Sequence, residues 1–492
     1  MNKREPLKKP AWVMLAVGFA AYVFSSGRWN FGVTAWVWPF AFLYFSRQAK
    51  TKKQFVLLSA AIAVGQMIKW PDILDSGYLL SAAFCLLWSI CWIVPFLADR
   101  LLAQKLPGSF LSSLVFPTVF VSVEYLRTLT PIGSLGMMAY TQSGFLQLVQ
   151  VTSLIGSFGL SFLLYWFGAV AVSSAEKRQG WKLATGVCLA MLVASIGFGS
   201  IRLAAFSVDD YENRVKIASI VGPYYEKHKD GTYAEISTEE SLQYFLSEAQ
   251  RAADGGAKIA CWNEEAFALD DIEEPRLLEA AAAFAKEHEM LLIVGYEVAD
   301  TDGSENDDAV NKSILVQPNG SVTGYVKTNL IPIVEFPGYV KGTGDVPSVA
   351  TGQGVISNVI CFDDTFPKFV RDHTGSTDIL FVPSWDWQGI KHAHTDLSQL
   401  RAVENGFSLV KPTYGGISTA VDGQGRVIKR FDTADTGFDT VQFADVPTKS
   451  IPTPYARNGN AIDLAFGLSG VITVMLGIFM LHRKNGALRL GK

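Results

Sequence analysis

The sequence predicts an α-helical transmembrane bundle of about eight spans joined in one chain to a layered α/β domain. Three observations predict this. Residues 11 to about 205 form a succession of long apolar runs, and one more run lies at about 461–481. Residues 208–455 have the mixed composition of a soluble globular domain. Within them, short apolar strand-like runs alternate with segments of helical periodicity, the pattern of helices packed on sheets. The expected boundaries are 1–206 for a bundle of about seven helices and 207–455 for the α/β domain. Residues 456–492 are expected to form a last span and a basic tail.

A spanning helix needs roughly 20 apolar residues. Candidate runs lie near 11–27, 30–46, 54–70, 78–98, 108–127, 153–175 and 183–205, the second and third being short. M-N-K-R-E-P-L-K-K-P precedes the first run. A cleaved signal would end in small residues and then turn polar. Here the apolar runs continue, so the first is expected to be a retained span. Basic clusters follow the second, fourth, sixth and eighth runs and precede the first. All fall on one side if the N-terminus is cytoplasmic, which places residues 207–455 outside the cytoplasm. In the fifth run, V-E-Y-L-R sets Glu124 and Arg127 three apart on one helix face. An ion pair near the outer interface is the expected reading, and a lipid-headgroup role is the sharper one.

Charge and cysteine usage exclude other classes. The net charge of −4 comes with no basic stripe, so no nucleic-acid partner is expected. Cys85, Cys91 and Cys188 fall in apolar runs, while Cys261 and Cys361 sit in strand-like segments. No disulfide framework or CxxC zinc spacing is present, so no metal and no cofactor are expected. His392 and His394 lack an evident third ligand.

In the α/β domain, 214–221 reads as a strand and 238–254 as an amphipathic helix with Leu242, Phe245, Leu246 and Ala249 at helical spacing. K-I-A-C-W is a strand, 275–288 a helix, and M-L-L-I-V-G-Y the next strand. Strand 313–317 turns at P-N-G and returns through 321–326. Three polar residues end apolar strands: Glu264, Lys327 and Cys361. A thiol followed by Phe362, Asp363 and Asp364 needs a base and a cation from elsewhere if it is a nucleophile, because acids alone raise its pKa. Glu264 can take the thiol proton, Lys327 can steady thiolate and oxyanion, and the Phe362 N–H can complete an oxyanion hole. Spacing alone favours an inert core thiol over this constellation. Cys261 is expected in the core. Glu265 is expected on the opposite face of the strand, solvated or structural. Trp262, Trp385 and Trp387 are possible cleft-lining residues, and W-D-W-Q-G (385–389) could instead pack on the sheet or meet lipid. Phe336 and Pro337 read as a surface loop, or as a lid.

Glu264, Lys327 and Cys361 in that order, with Glu335 between the last two, resemble the Glu–Lys–Cys triad of the nitrilase superfamily. With its flanking spans, the chain is similar to the apolipoprotein N-acyltransferase family within it. W-N-E-E-A (262–266) stands where that family has W-P-E-[ST]-A. K-T-N-L-I-P-I-V-E (327–335) supplies its Lys, Pro and second Glu, and V-I-C-F-D (359–363) its Cys-aromatic-acid element. H-T-D-L-S-Q-L-R-A-V-E-N-G (394–406), G-G-I-S-T-A-V-D (415–422), V-E-Y-L-R and S-L-I-G-S-F-G-L-S-F-L resemble further family segments.

The resemblance implies a nitrilase-like αββα sandwich, Glu335 as an orienting or relay group, and structural roles for His392 and His394. It implies an acyl chain moving from a membrane phospholipid through a Cys361 thioester to the N-terminal amine of a diacylglyceryl-cysteine lipoprotein. The setting implied is a monomer in a bacterial cytoplasmic (inner) membrane, its catalytic domain on the extracytoplasmic side. A tethered amidase using the same triad and a non-catalytic scaffold are the alternatives. Asn263, Glu265 and Asp363 depart from the family pattern, and 222–231 lacks its expected Gln-containing segment.

Overall fold

The apolar runs become helices. The computed structural model describes residues 9–106, 110–206, 213–222, 225–227, 233–235, 237–270, 272–299, 308–433 and 441–490. The expected segment 222–231 and the basic residues before Lys9 lie largely outside these. In chain order the helices are α1 (Lys9–Val23), α2 (Thr34–Gln48), α3 (Lys52–Lys69), α4 (Tyr78–Ala98) and α5 (Phe110–Thr128). A short α6 (Leu146–Val149) leads into α7 (Thr152–Ala175) and α8 (Trp181–Ala205). A further long helix, Pro454–Leu490, ends the described chain.

Among the described residues, five segments are long and apolar enough to cross a membrane: Tyr78–Ala103, Phe110–Thr128, Thr152–Ala175, Trp181–Ala205 and Pro454–His482. The first three expected spans fall short for physical reasons. α1 and α2 have 15 residues each, which at about 1.5 Å per residue is less than a hydrocarbon core of about 30 Å. α3 dilutes its apolar run with Lys52, Lys53, Gln54, Gln66 and Lys69. The expected Glu124–Arg127 ion pair does not form. Glu124 is buried and accepts from Met138 N and Tyr165 OH at 3.0 and 2.9 Å. Arg127 instead lies over the rings of Trp88 and Trp92, 4.8 and 5.5 Å from their centroids.

The described residues of Met1–Thr130, Ser134–Leu203 and Asn458–Lys492 form one compact unit, and Pro131–Gly133 with Ala204–Arg457 form another. The second unit holds the α/β structure. Its strands are β1 (Arg214–Ile220), β2 (Tyr225–Lys227), β3 (Tyr233–Glu235), β4 (Ile259–Trp262), β5 (Ala268–Asp270), β6 (Leu291–Ala299), β7 (Val310–Val316) and β8 (Val322–Val326). They continue as β9 (Ser348–Thr351), β10 (Gly354–Asn358), β11 (Ile379–Phe381), β12 (Ser384–Trp385), β13 (Ser408–Lys411), β14 (Thr413–Tyr414), β15 (Ile417–Val421), β16 (Val427–Asp432) and β17 (Val441–Pro447). One sheet runs β17-β1-β4-β6-β7-β8, with β5 added on β6, and the other runs β16-β15-β13-β11-β10-β9.

Helices α9 (Thr238–Asp254) and α10 (Glu274–Glu287) cover the first sheet, while α11 (Pro367–His373) and α12 (Lys391–Asn405) cover the second. A Ser237–Glu240 capping box starts α9, satisfying amides that the first helical turn leaves free. Strand alternation then sorts side chains into layers. In β4, Ala260 and Trp262 point to the α9–α10 layer, and Ile259 and Cys261 point between the sheets. Ile217, Ile293, Ile356, Phe381 and Val410 fill that inter-sheet core from both sides. The resulting helix–sheet–sheet–helix order is the expected αββα sandwich.

Candidate active site

Glu264, Lys327 and Cys361 follow β4, β8 and β10, so each sits where a strand gives way to a turn. Backbone contacts fix the first two. Gly295 of β6 packs so closely on the Glu264 segment that a Cβ there would lie 2.4 Å from Asn263 O and 3.0 Å from Glu264 Cα. Lys327 N donates to Asn311 O at 3.0 Å, and Gly342 N donates to Lys327 O at 2.8 Å. Cys361 opens a 3-10 turn, Cys361–Thr365, with φ at +43°. Its N–H donates to Pro383 O at 2.9 Å. A left-handed backbone at a non-glycine residue is uncommon, costs about 1–3 kcal/mol and clusters at functional sites.

The Lys327 ammonium is 1% exposed and lies 2.7 Å from Glu264 Oε1 and 2.6 Å from Glu335 Oε1. Glu264 Oε1 also accepts from Asn311 Nδ2 at 2.8 Å, and its Oε2 accepts from Trp385 N at 2.7 Å. Glu335 Oε2 accepts from Ile331 N at 2.6 Å. Every carboxylate oxygen here has a donor, which is what allows charges to persist out of water. Burial alone would strip the proton from Lys327, but Glu264 and Glu335 hold its ammonium well above the ordinary lysine range. Burial pushes the Glu335 carboxyl up, and Lys327 opposes that.

The Cys361 thiol is buried and points to Trp385 O at 3.6 Å. The Trp385 backbone therefore lies between the two side chains, its C=O facing the thiol and its N–H donating to Glu264. Burial first, and then Glu264, raise the thiol pKa well above the usual range, with Lys327 opposing. The group rests as a thiol and needs a base to become a nucleophile. Phe362 N–H sits in the first turn of the 3-10 segment, where amides have no intrahelical acceptor.

Asp363 is buried and accepts four hydrogen bonds: from Tyr325 OH (2.7 Å), Asn329 N (2.7 Å), Asn329 Nδ2 (2.9 Å) and Ile360 N (3.1 Å). Tyr325 and Asn329 flank Lys327, so Asp363 ties the lysine loop to the cysteine turn. Burial lifts its carboxyl to about 6.

Two placements differ from the sequence expectations. Trp262 lies in the core instead of lining a cleft. It is fully buried, its ring 4.9 Å from that of Phe245, because the fourth residue of β4 points into the helix layer. Glu265 does not alternate to the opposite face. The strand stops at Trp262, and Glu265, at φ +45°, turns its Oε1 to Asn311 Nδ2 at 2.9 Å, beside Glu264. Burial and then Glu264 hold the Glu265 carboxyl well above the usual range. Trp385 is half-buried against Tyr414, ring centroids 4.9 Å apart, and Trp387 is half-buried in the loop before α12. Phe336 and Pro337 are exposed, beside exposed Ile333 and Val334. Cys261 is in the inter-sheet core.

Sequence reasoning missed Asn311 and the Trp385 backbone, and named His394 only as structural. Asn311 stands in β7, where only its pairing opposite β6 brings it to the carboxylates. The metal-ligand types that cluster here already hold cations. Glu264, Glu265 and Glu335 come within 4.8 Å of one another around Lys327, and Cys361, Asp386 and His394 do so with both His394 nitrogens on carboxylates.

The family model described as Carbon-nitrogen hydrolase matches residues 234–452. That described as Apolipoprotein N-acyltransferase N-terminal domain matches residues 11–170. A relative from Geobacter metallireducens named Apolipoprotein N-acyltransferase is 28% identical over 63% of this chain and 64% of its own length, so the match spans just under two thirds of that protein. Relatives of the same name from Rickettsia bellii and Caulobacter vibrioides are each 24% identical, over 69% and 81% of this chain and 68% and 78% of theirs. A crystal structure of an amidase from Nesterenkonia sp. is 18% identical with a TM-score of 0.41, covering 51% of this chain and 94% of that one. Across both of its parts, the chain is similar to the apolipoprotein N-acyltransferases of the nitrilase superfamily.

Proposed function

We propose that this protein is an N-acyltransferase in which Glu264, Lys327 and Cys361 form the catalytic triad. The observation that carries this reading is the buried Lys327 ammonium gripped by Glu264 and Glu335, with the Cys361 turn tied to the same loop through Asp363. The acyl donor is a membrane phospholipid, and the acceptor is the N-terminal amine of a diacylglyceryl-cysteine lipoprotein. In the first half-reaction Glu264 takes the thiol proton as sulfur attacks the ester carbonyl. The oxyanion forms against Lys327 Nζ and Phe362 N–H, and its collapse expels an alkoxide that takes the proton back from Glu264. A thioester and a lysophospholipid result. In the second half-reaction the neutral amine attacks the thioester, and its proton passes through Glu264 to the departing sulfur. The amide is far more stable than the thioester, so this step drives the exchange.

Glu335 keeps Lys327 charged and aimed, and Asp363 fixes the distance between lysine loop and nucleophile. Both substrates carry acyl chains, each CH₂ being worth about 0.8 kcal/mol in lipid, so extracting them into water is prohibitive. Membrane-length helices on either side of the α/β unit in the chain, Trp181–Ala205 and Pro454–His482, suit such substrates. The distribution of basic residues supports an extracytoplasmic catalytic domain in a bacterial inner membrane.

The test uses purified protein with a phospholipid labelled on its acyl chain and a diacylglyceryl lipopeptide. Label moving to the lipopeptide amine, with lysophospholipid released, is the expected result. Release of free fatty acid alone, unaffected by lipopeptide, would contradict the assignment.

A further inference from the structure

A second buried charge cluster borders Cys361, and no step above uses it. His394 of α12 is 1% exposed. Its Nε2 lies 2.8 Å from Asp364 Oδ1, and its Nδ1 lies 2.7 Å from Asp386 Oδ1. Asp364 belongs to the same 3-10 turn as Cys361, and its Oδ2 accepts from Ser398 Oγ at 2.5 Å. Asp386 directly follows Trp385, the residue whose peptide spans thiol and Glu264. Lys411 Nζ of β13 stands 3.8 Å from Asp364 Oδ2 and 4.0 Å from Asp386 Oδ2. The Cys361 sulfur, an Asp386 oxygen and a His394 nitrogen all come within 4.8 Å of one another.

The geometry points to His394 as a positioning residue, a cross-brace tying the turn that carries Cys361 to the loop that carries Trp385. This rests on the acyl-transfer reading above and adds to it a group that never touches substrate. The brace depends on charge. A neutral imidazole has one N–H and one lone pair, so between two carboxylates only the imidazolium donates on both sides. The charged and titratable groups facing it are Asp364 and Cys361 from the turn, Asp386 from the loop, and Lys411 from β13. Burial and Lys411 oppose the charge, yet Asp386 and Asp364 lift the imidazole to about 9. Asp364 itself is held at about 2, where Lys411 and then His394 outweigh burial. Above the His394 titration one carboxylate faces a bare lone pair, and the loop is released.

The experiment follows thioester formation at Cys361 across pH in full-length protein, with a phospholipid carrying a fluorescent acyl chain in detergent micelles. His394→Gln, which can donate to one carboxylate only, is expected to slow thioester formation about 10²-fold, the scale of a 1 Å misplacement. Asp386→Asn permits a brace with neutral histidine, donating to Asp364 and accepting from the amide. It is expected to slow the reaction less and to lose the decline the wild type shows as pH passes about 9. A His394→Gln protein with wild-type rate and pH profile would overturn the brace, as would an unchanged alkaline decline in Asp386→Asn. The second comparison stands even if His394→Gln fails to fold. If the wild type forms no thioester, the acyl-transfer reading fails separately. Alkylation of Cys361 by iodoacetamide in the same proteins then decides the brace, identical rates counting against it.

Discussion

Replacing Lys327 with methionine removes the one ammonium that Glu264 and Glu335 share. Methionine fills nearly the same volume, so the loss is electrostatic. The lysine is 1% exposed, its partners 3% and 7%, and the two contacts are 2.7 and 2.6 Å. Removing one partner of such a buried pair costs about 3–5 kcal/mol, because the remaining charge stays uncompensated. Here two carboxylates are left together, with the Glu265 carboxyl beside them. For a unit of this size each kcal/mol lowers the melting temperature by about 2–4 °C, so Lys327→Met should melt roughly 6–20 °C below wild type near neutral pH. The deficit should shrink as pH falls, since the orphaned carboxyls then take up protons. Adding Glu335→Gln should recover part of the stability and none of the thioester formation. The assay is thermal unfolding in detergent with intact-mass detection of the acyl adduct. An unchanged melting temperature, or thioester formation at the wild-type rate, would refute the reasoning.

Other outcomes follow from the same contacts. Asp363→Asn turns an acceptor into a donor facing either Tyr325 OH with Ile360 N or the two Asn329 donors, and should cost about 1–3 kcal/mol in denaturant titrations. It should also slow thioester formation, because the lysine loop loses its tie to the cysteine turn. For His394 the folded pKa is raised, so its contribution is complete below the unfolded value of 6.5 and is lost as pH rises through about 9. Melting temperature should therefore fall over that interval more steeply in wild type than in His394→Gln. Gly295→Ala should impair thioester formation with little change in secondary structure by circular dichroism, because its methyl group pushes on the Glu264 backbone.

Much of this architecture was legible because periodicity records burial. The helix over 238–254 carried its apolar stripe, and the structure bounds it at Thr238–Asp254. The positions of Glu264, Lys327 and Cys361 at strand ends were equally readable, since a polar residue closing an apolar run stands out. Extrapolating a strand past its last hydrogen bond failed at Glu265, where a positive φ replaced alternation. Trp262 misled for a related reason: nearness in sequence to a reactive residue says nothing about which face a side chain takes. The Trp385 peptide left no trace, because a backbone amide contributes equally whatever side chain it carries. Asn311 and His394 gain meaning only from partners at other strands and turns, 47 residues away for Asn311–Glu264 and 30 for His394–Asp364. In the helical unit, run length counted apolar residues but not the lysines and glutamines that interrupt α3, nor how Trp88 and Trp92 would draw Arg127 from Glu124.

The central claim is that sulfur at Cys361 carries the acyl chain. Peptide mapping by mass spectrometry after brief exposure to phospholipid, without acceptor, tests it most directly. A fatty-acyl mass on the peptide containing Cys361, released by hydroxylamine and absent in Cys361→Ala, is the predicted result. An acyl mass on Cys261 instead, or a Cys361 peptide that stays unmodified while transfer proceeds, would contradict the account.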